Sequence, residues 1–161
     1  MLDNTYIVFS SDHGEMLGDH GAFTKGLPYD PSMRVPLLAS GPGIAPGRTS
    51  EAMVELIDLN ATICDLAGLP PQERVDARSF APVLRGERAE HRDEIVSSLG
   101  HFRCVRSRDW KFVDNINDIP ELYDMRNDPD ELHNLAEEKP QERQKMNQRL
   151  NRRWLEGEWN I

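Results

Sequence analysis

The sequence predicts an α/β chain in two parts: an α/β part over residues 1–92, then a small antiparallel sheet with one amphipathic helix over residues 93–161. Three observations carry this. A β-rich run at residues 5–10, apolar on both faces, opens the chain. Two runs at 102–106 and 110–113 flank the three-residue connection Ser107-Arg108-Asp109, a hairpin pattern. Behind Pro140, Met146, Leu150 and Trp154 recur every four residues, with Arg, Lys and Glu on the other face.

Each element follows in order. Thr5-Tyr6-Ile7-Val8-Phe9-Ser10 suits a buried parallel strand, and such a strand needs crossover neighbours on both sides. A chain that opens on one reads as a chain whose earlier strands lie elsewhere. Residues 34–40 form a second strand, with Pro36 at its start or on an edge. Gly41-Pro42-Gly43 and Pro46-Gly47 punctuate a loop. Residues 58–67 read as a helix capped by Asp58, with Gly68 in the C′ position. Leu59, Ile63, Leu66 and Ala67 share its apolar face, and Leu69-Pro70-Pro71 stops it. Residues 72–92 are polar and Arg-rich, a loop with one short helical turn at 79–84. A strand at 95–98, the hairpin, and Glu121-Leu122-Tyr123-Asp124 build the antiparallel sheet. Asn127-Asp128-Pro129 is a turn, and Pro140 starts the last helix. There is no internal repeat.

Composition bounds the function classes. The chain has 161 residues, 38% apolar and 29% charged, the size and balance of about one globular domain. Nineteen Lys and Arg against 28 Asp and Glu leave a net charge of -9, the wrong sign for a nucleic-acid partner. No apolar run reaches the roughly 18 residues of a membrane span. No basic patch followed by an apolar stretch marks a secretory signal, so a cytoplasmic and a periplasmic location both stay open. Cys64 and Cys104 cannot form a cysteine zinc site alone, although one disulfide is open on counting. Cys64, in an apolar run, reads as a buried free thiol.

The chemistry gathers behind the first strand. Asp12 and His13 follow it directly, where ligands bind at strand ends in open α/β sheets. On spacing alone two readings stand: a turn in which Asp12 caps backbone amides, and two ligands of a divalent cation. Lys25, in Thr24-Lys25-Gly26, is either a solvated lysine or an ammonium that neutralises an anionic substrate. His20, in Gly18-Asp19-His20-Gly21, is a candidate general acid or substrate contact, or a loop histidine held by hydrogen bonds. Arg34 suits a buried acid or a strand end. His91, His101 and His133 read as surface or packing residues, and Asp128-Pro129-Asp130-Glu131 as a solvated turn. There is no Gly-x-Ser-x-Gly elbow, P-loop or His-Glu-x-x-His.

The stretch Ile7-Val8-Phe9-Ser10-Ser11-Asp12-His13-Gly14-Glu15-Met16-Leu17-Gly18-Asp19-His20-Gly21 resembles the signature of the C-terminal half of sulfatases, in the alkaline phosphatase superfamily. Lys25-Gly26, Tyr29 and Arg34-Val35-Pro36-Leu37 resemble that family's lysine loop and following strand. Asp58-Leu59-Asn60-Ala61-Thr62 resembles its Asp-Leu-x-x-Thr helix. Trp110-Lys111-Phe112, Glu121-Leu122-Tyr123-Asp124, Asn127-Asp128-Pro129-Asp130-Glu131 and Asn134-Leu135-Ala136 resemble its C-terminal subdomain. The similarity keeps its order along nearly the whole chain.

The resemblance implies the C-terminal part of an alkaline-phosphatase-like α/β sandwich, followed by the small sheet and helix. It implies sulfate-ester hydrolysis, with a small sulfate ester or a sulfated glycan as substrate, and no nucleic-acid or membrane partner. It carries Asp12 and His13 onto metal ligands, for Ca2+ with Mg2+ or Mn2+ as alternatives, although many members have Asn where this chain has His13. It carries Lys25 onto the lysine that contacts the sulfate group, and His20 onto a matching loop. The family nucleophile is a formylglycine made from Cys or Ser in Cys/Ser-x-Pro-x-Arg. Here Cys64 is followed by Asp65-Leu66 and Cys104 by Val105-Arg106, and no Ser stands in that pattern. The resemblance therefore implies a partner, the N-terminal half of the fold, which holds the nucleophile and the first metal aspartates. Two other readings stay open: a phosphonate or phosphate monoester hydrolase of the same superfamily, and an inert truncated product.

Overall fold

The computed structural model describes residues 2–70 and 75–156. In chain order the elements are β1 (Ile7–Ser10), α1 (Asp30–Met33), β2 (Leu37–Ser40), α2 (Asp58–Leu66), α3 (Ala81–Leu84), β3 (Ile95–Leu99), β4 (Phe102–Arg106), β5 (Trp110–Asn115), β6 (Glu121–Asp124) and α4 (Pro140–Glu156). They form two compact units, residues 1–12 with 35–93, and residues 13–34 with 94–161. Pro71 and residues 72–74 of the expected loop lie outside the described residues.

In the first unit β1 pairs with β2 antiparallel, from Ile7 opposite Ser40 to Ser10 opposite Leu37. Among the described residues β1 has no parallel neighbour. A two-stranded ribbon has no covering layer of its own, so Ile7 is 53% exposed and Phe9 59%. Helix α2 is also oriented differently from its apolar pattern. Its buried residues are Asp58, Ala61 and Thr62, while Ile63 is exposed. The Thr62 hydroxyl explains this choice: it donates to Asp58 O at 2.7 Å and accepts from Phe80 N at 3.0 Å, which docks the buried Phe80 and Ala81.

Asp58 does not cap its own helix, because the N-cap is Ile57 and Asp58 is the first helical residue. The C-terminal expectation holds. Gly68 takes φ +69, its N–H reaches Asp65 O at 3.0 Å, and Leu69 N reaches Cys64 O at 2.8 Å. These two bonds satisfy the last helical carbonyls, and a side chain at the left-handed position would be strained.

The second unit is built on the meander β3-β4-β5-β6, all neighbours antiparallel. The predicted hairpin, the third strand and the last helix are all present. Val96, Val105, Phe112 and Leu122 lie opposite one another in register, one row across the four strands. Period-two alternation places them on one face. That row forms a core with Ala136, Met146 and Leu150, the last two from α4. Burying each such side chain contributes roughly 1.5–3 kcal/mol. Cys104 and Val113, opposite each other in the next register position, form a second cluster with Phe102 and with Met33 of α1. Helix α1 is thus packed on the small sheet.

Candidate active site

The segment 13–26 is folded back on α1. Gly14 N donates to Ser32 O at 2.8 Å, and Gly26 N donates to the Ser32 hydroxyl at 3.1 Å. Gly14 is there for space: a Cβ on it would lie 2.0 Å from Pro31 O. Between these anchors, Met16 is fully buried and its N–H bonds Thr24 O at 2.9 Å. Leu17, His20 and Thr24 adopt positive φ, which lets so short a loop reverse.

This folding brings two of the sequence-predicted residues together. Lys25 Nζ lies 2.7 Å from His13 Nε2, and His13 Nδ1 lies 2.7 Å from Gly14 O. An ammonium only donates, so Nε2 is the acceptor and Nδ1 carries the proton that bonds the carbonyl. The Nε2 lone pair, which here accepts the Lys25 ammonium, is the position through which a neutral imidazole binds a metal. Asp12, in the first unit, accepts from the Ser11 hydroxyl at 3.4 Å. Asp12 and His13 offer a hard oxygen and an imidazole, which suit two positions in a divalent cation's shell. Among the described residues no group of three or more His, Cys, Asp or Glu converges on one point.

His20 has a different setting. Its ring stacks on Tyr29 with centroids 3.9 Å apart and planes 6° apart. It also lines a cleft of about 630 Å³ with Asp19, Asp30, Arg34, Asp130 and Leu132. Burial first, and then the nearby Glu121 carboxylate, pushes the Tyr29 hydroxyl above its ordinary range. Tyr123, edge-on to Tyr29, is pushed up by burial and by its 2.7 Å bond to Glu121.

Several other expectations need correction. Arg34 is exposed and lines the cleft instead of meeting a buried acid. That part falls to Arg92, whose guanidinium bonds the fully buried Asp58, where His91 also bonds at 3.1 Å. Glu131, expected in a solvated turn, is 2% exposed and paired with the fully buried Lys111. Cys64 is half-buried and only Cys104 is buried, both as free thiols.

The model for the C-terminal part of N-sulphoglucosamine sulphohydrolase matches residues 18–157. The chain belongs to the sulfatase family, in its C-terminal portion. It is 32% identical over 167 residues to arylsulfatase K of Xenopus laevis, covering 93% of this chain and 31% of that protein. It is 40% identical over 146 residues to choline-sulfatase of Rhizobium meliloti (strain 1021), covering 85% of this chain and 28% of that protein. Among solved structures, one in complex with its substrate D-glucosamine-2-N,6-O-disulfate matches with a TM-score of 0.88 and 31% identity, over 99% of this chain and 36% of that one. The phosphonate monoester hydrolase of Silicibacter pomeroyi matches with a TM-score of 0.89 and 28% identity, over 96% and 35%. The sulfatase chain thus spans about a third of the length of the proteins it matches.

Cys104 is buried against the sheet, and burial pushes its thiol up to about 12. Sequence reasoning gave Lys111, Glu131 and Ser32 no part in the site. One signal was legible: Lys111 stands between Trp110 and Phe112 in a strand whose neighbours are apolar. Its buried partner, twenty residues on in a turn, had none.

Proposed function

We propose that this chain is the C-terminal part of a sulfuric ester hydrolase and supplies its sulfate-holding lysine and two metal ligands. The observation that carries this reading is the 2.7 Å contact of Lys25 with His13, next in sequence to Asp12. In that arrangement the ammonium donates to the nitrogen that would face a cation once the ammonium turns away. Asp12 and His13 Nε2 would hold Ca2+, with Mg2+ or Mn2+ as alternatives. The chemistry such an ion would supply there is polarisation of an ester oxygen and stabilisation of charge on the leaving group.

Lys25 turns from His13 to a sulfate oxygen, and its backbone, held through Gly26 on Ser32, needs no reorganisation. His20, stacked on Tyr29, is the candidate to give a proton to a leaving oxygen or to contact the substrate. The nucleophile, a formylglycine by family resemblance, and the remaining ligands belong to the length of the relatives that this chain does not span. That part would also cover the exposed apolar β1–β2 ribbon. In this reading residues 1–92 belong to the catalytic α/β domain and 93–161 form its small C-terminal subdomain. The substrate is a small sulfate ester or a sulfated glycan, a class supported by the sulfated glucosamine bound to one structural neighbour.

The test is release of inorganic sulfate from an aryl sulfate by the intact protein. Lys25→Ala is expected to lower kcat/KM by about 10²–10³, and Asp12→Ala to abolish turnover with loss of bound Ca2+. Activity of Lys25→Ala within twofold of the parent would end the assignment. The likeness to a phosphonate monoester hydrolase supports a second reading, and a higher kcat/KM on a phenyl phosphonate monoester than on the sulfate would establish it.

A further inference from the structure

We infer that Lys111 and Glu131 are positioning residues for the Lys25–His13 pair, acting through Asp30 and Ser32. The inference rests on the reading of that pair given above. Asp30, the first residue of α1, is held from three directions. Lys111 Nζ of β5 donates to its Oδ1 at 3.1 Å, and Arg106 of β4 donates to its Oδ2. Its backbone N–H donates to Glu131 Oε2 at 2.7 Å, while the other Glu131 oxygen pairs with Lys111.

One helical turn links this cluster to the site. Ser32 N and Met33 N both bond Tyr29 O at 3.0 Å, and Arg34 N bonds Asp30 O at 2.7 Å. Ser32, 4% exposed, then accepts Gly14 N on its carbonyl and Gly26 N on its hydroxyl. Gly14 follows His13 and Gly26 follows Lys25. Each functional side chain is therefore one peptide from a hydrogen bond to the same buried serine, and that serine is two residues from Asp30, which the buried charges hold.

Stability alone is a poor reason for the cluster. A fully buried lysine and glutamate lose their hydration, and an apolar pair of similar volume commonly stabilises a fold as well or better. An apolar pair cannot accept the Asp30 N–H or orient its carboxylate. What the charges add is direction: they set where α1 sits on the sheet, and so where Lys25 meets His13.

The test uses the intact protein with 15N-labelled histidine. The double variant Lys111→Met/Glu131→Leu removes the direction and keeps an apolar fill. The expected result is a folded protein in which the His13 Nδ1 and Nε2 shifts move towards averaged tautomers. Turnover of the aryl sulfate should fall at least about tenfold in kcat, since a misplacement near 1 Å can cost up to about 10²-fold, with KM changed less than about threefold. Ser32→Ala, which removes only the acceptor of Gly26 N, should move the same nitrogen shifts. It serves alone if the double variant does not fold. Met146→Ala, a core change on α4 away from the cluster, should lower stability and leave the shifts and kcat unchanged.

Unchanged His13 nitrogen shifts in both folded variants would overturn the inference. If Lys25→Ala keeps activity within twofold of the parent but those shifts move, the functional reading fails and the positioning stands.

Discussion

Asp58→Asn tests the physics of the first unit most directly. Asp58 is fully buried and accepts from Glu55 N at 3.0 Å, Arg78 N at 2.8 Å, Arg92 Nε at 2.7 Å, a second Arg92 nitrogen, and His91 at 3.1 Å. The amide keeps the shape but loses the charge, and it turns one acceptor into a donor facing donors. Among the described residues Arg92, with a side chain 1% exposed, keeps Glu55 at 3.3 Å and Asp76 O at 2.8 Å. Removing one partner of a buried pair costs about 3–5 kcal/mol, and the remaining Glu55 contact favours the lower end, about 3. At roughly 2–4 °C per kcal/mol for a chain of this size, Tm should fall by about 6–12 °C.

The pH dependence follows from the same contacts. Burial by itself would push the Asp58 carboxyl up. The Arg92 hydrogen bonds, then the backbone N–H groups of Arg78 and Glu55, outweigh it and hold the carboxyl below its usual range. A group depressed in the folded state stabilises above its unfolded value, about 3.9. That stability is lost as pH falls through the folded value. The gap between parent and variant should thus be constant from about pH 5 to 8 and close below about pH 4. Urea unfolding of the intact protein, followed by far-UV circular dichroism across that range, measures it. A gap under about 1 kcal/mol at pH 7, or one that persists undiminished at pH 2, would refute the reasoning.

Two further perturbations bear on the second unit and its thiols. Gly14→Ala places a Cβ where Pro31 O already lies 2.0 Å away, so α1 or His13 must move; kcat/KM should drop by about 10² with the fold retained, and wild-type kinetics would show that the close approach is dispensable. Iodoacetamide at pH 8 should alkylate Cys64 in the native protein and spare Cys104, which is 1% exposed and pushed up to about 12. Mass spectrometry showing equal modification of both would contradict the burial described for β4.

Local patterns were enough for the second unit. The hairpin around Ser107-Arg108-Asp109, the strand at 121–124 and the face of Met146 and Leu150 are short-range periodicities, and each was realised. The C-terminal stop at Gly68 was legible for the same reason, because a left-handed residue is a local demand. The first unit was less legible. The run at residues 5–10 has the composition of a strand covered on both faces, but composition does not state which residues do the covering. Among the described residues β1 pairs with β2, antiparallel, and its outer neighbours are not among them.

The sequence by itself determined the family, the order of the strands and the longer helices, and the candidates Asp12, His13, His20 and Lys25, all of which are carried by short contiguous motifs, while the short helix α1 went unread. Only the tertiary structure decided what those residues meet. Lys25 reaches His13 across 12 positions, Lys111 finds Asp30 across 81, and Arg92 takes Asp58 from its expected capping role across 34. Such pairings are set by which buried charges must be neutralised once the sheets and helices have packed. A buried charge takes the partner that geometry supplies, and spacing along the chain carries no record of it.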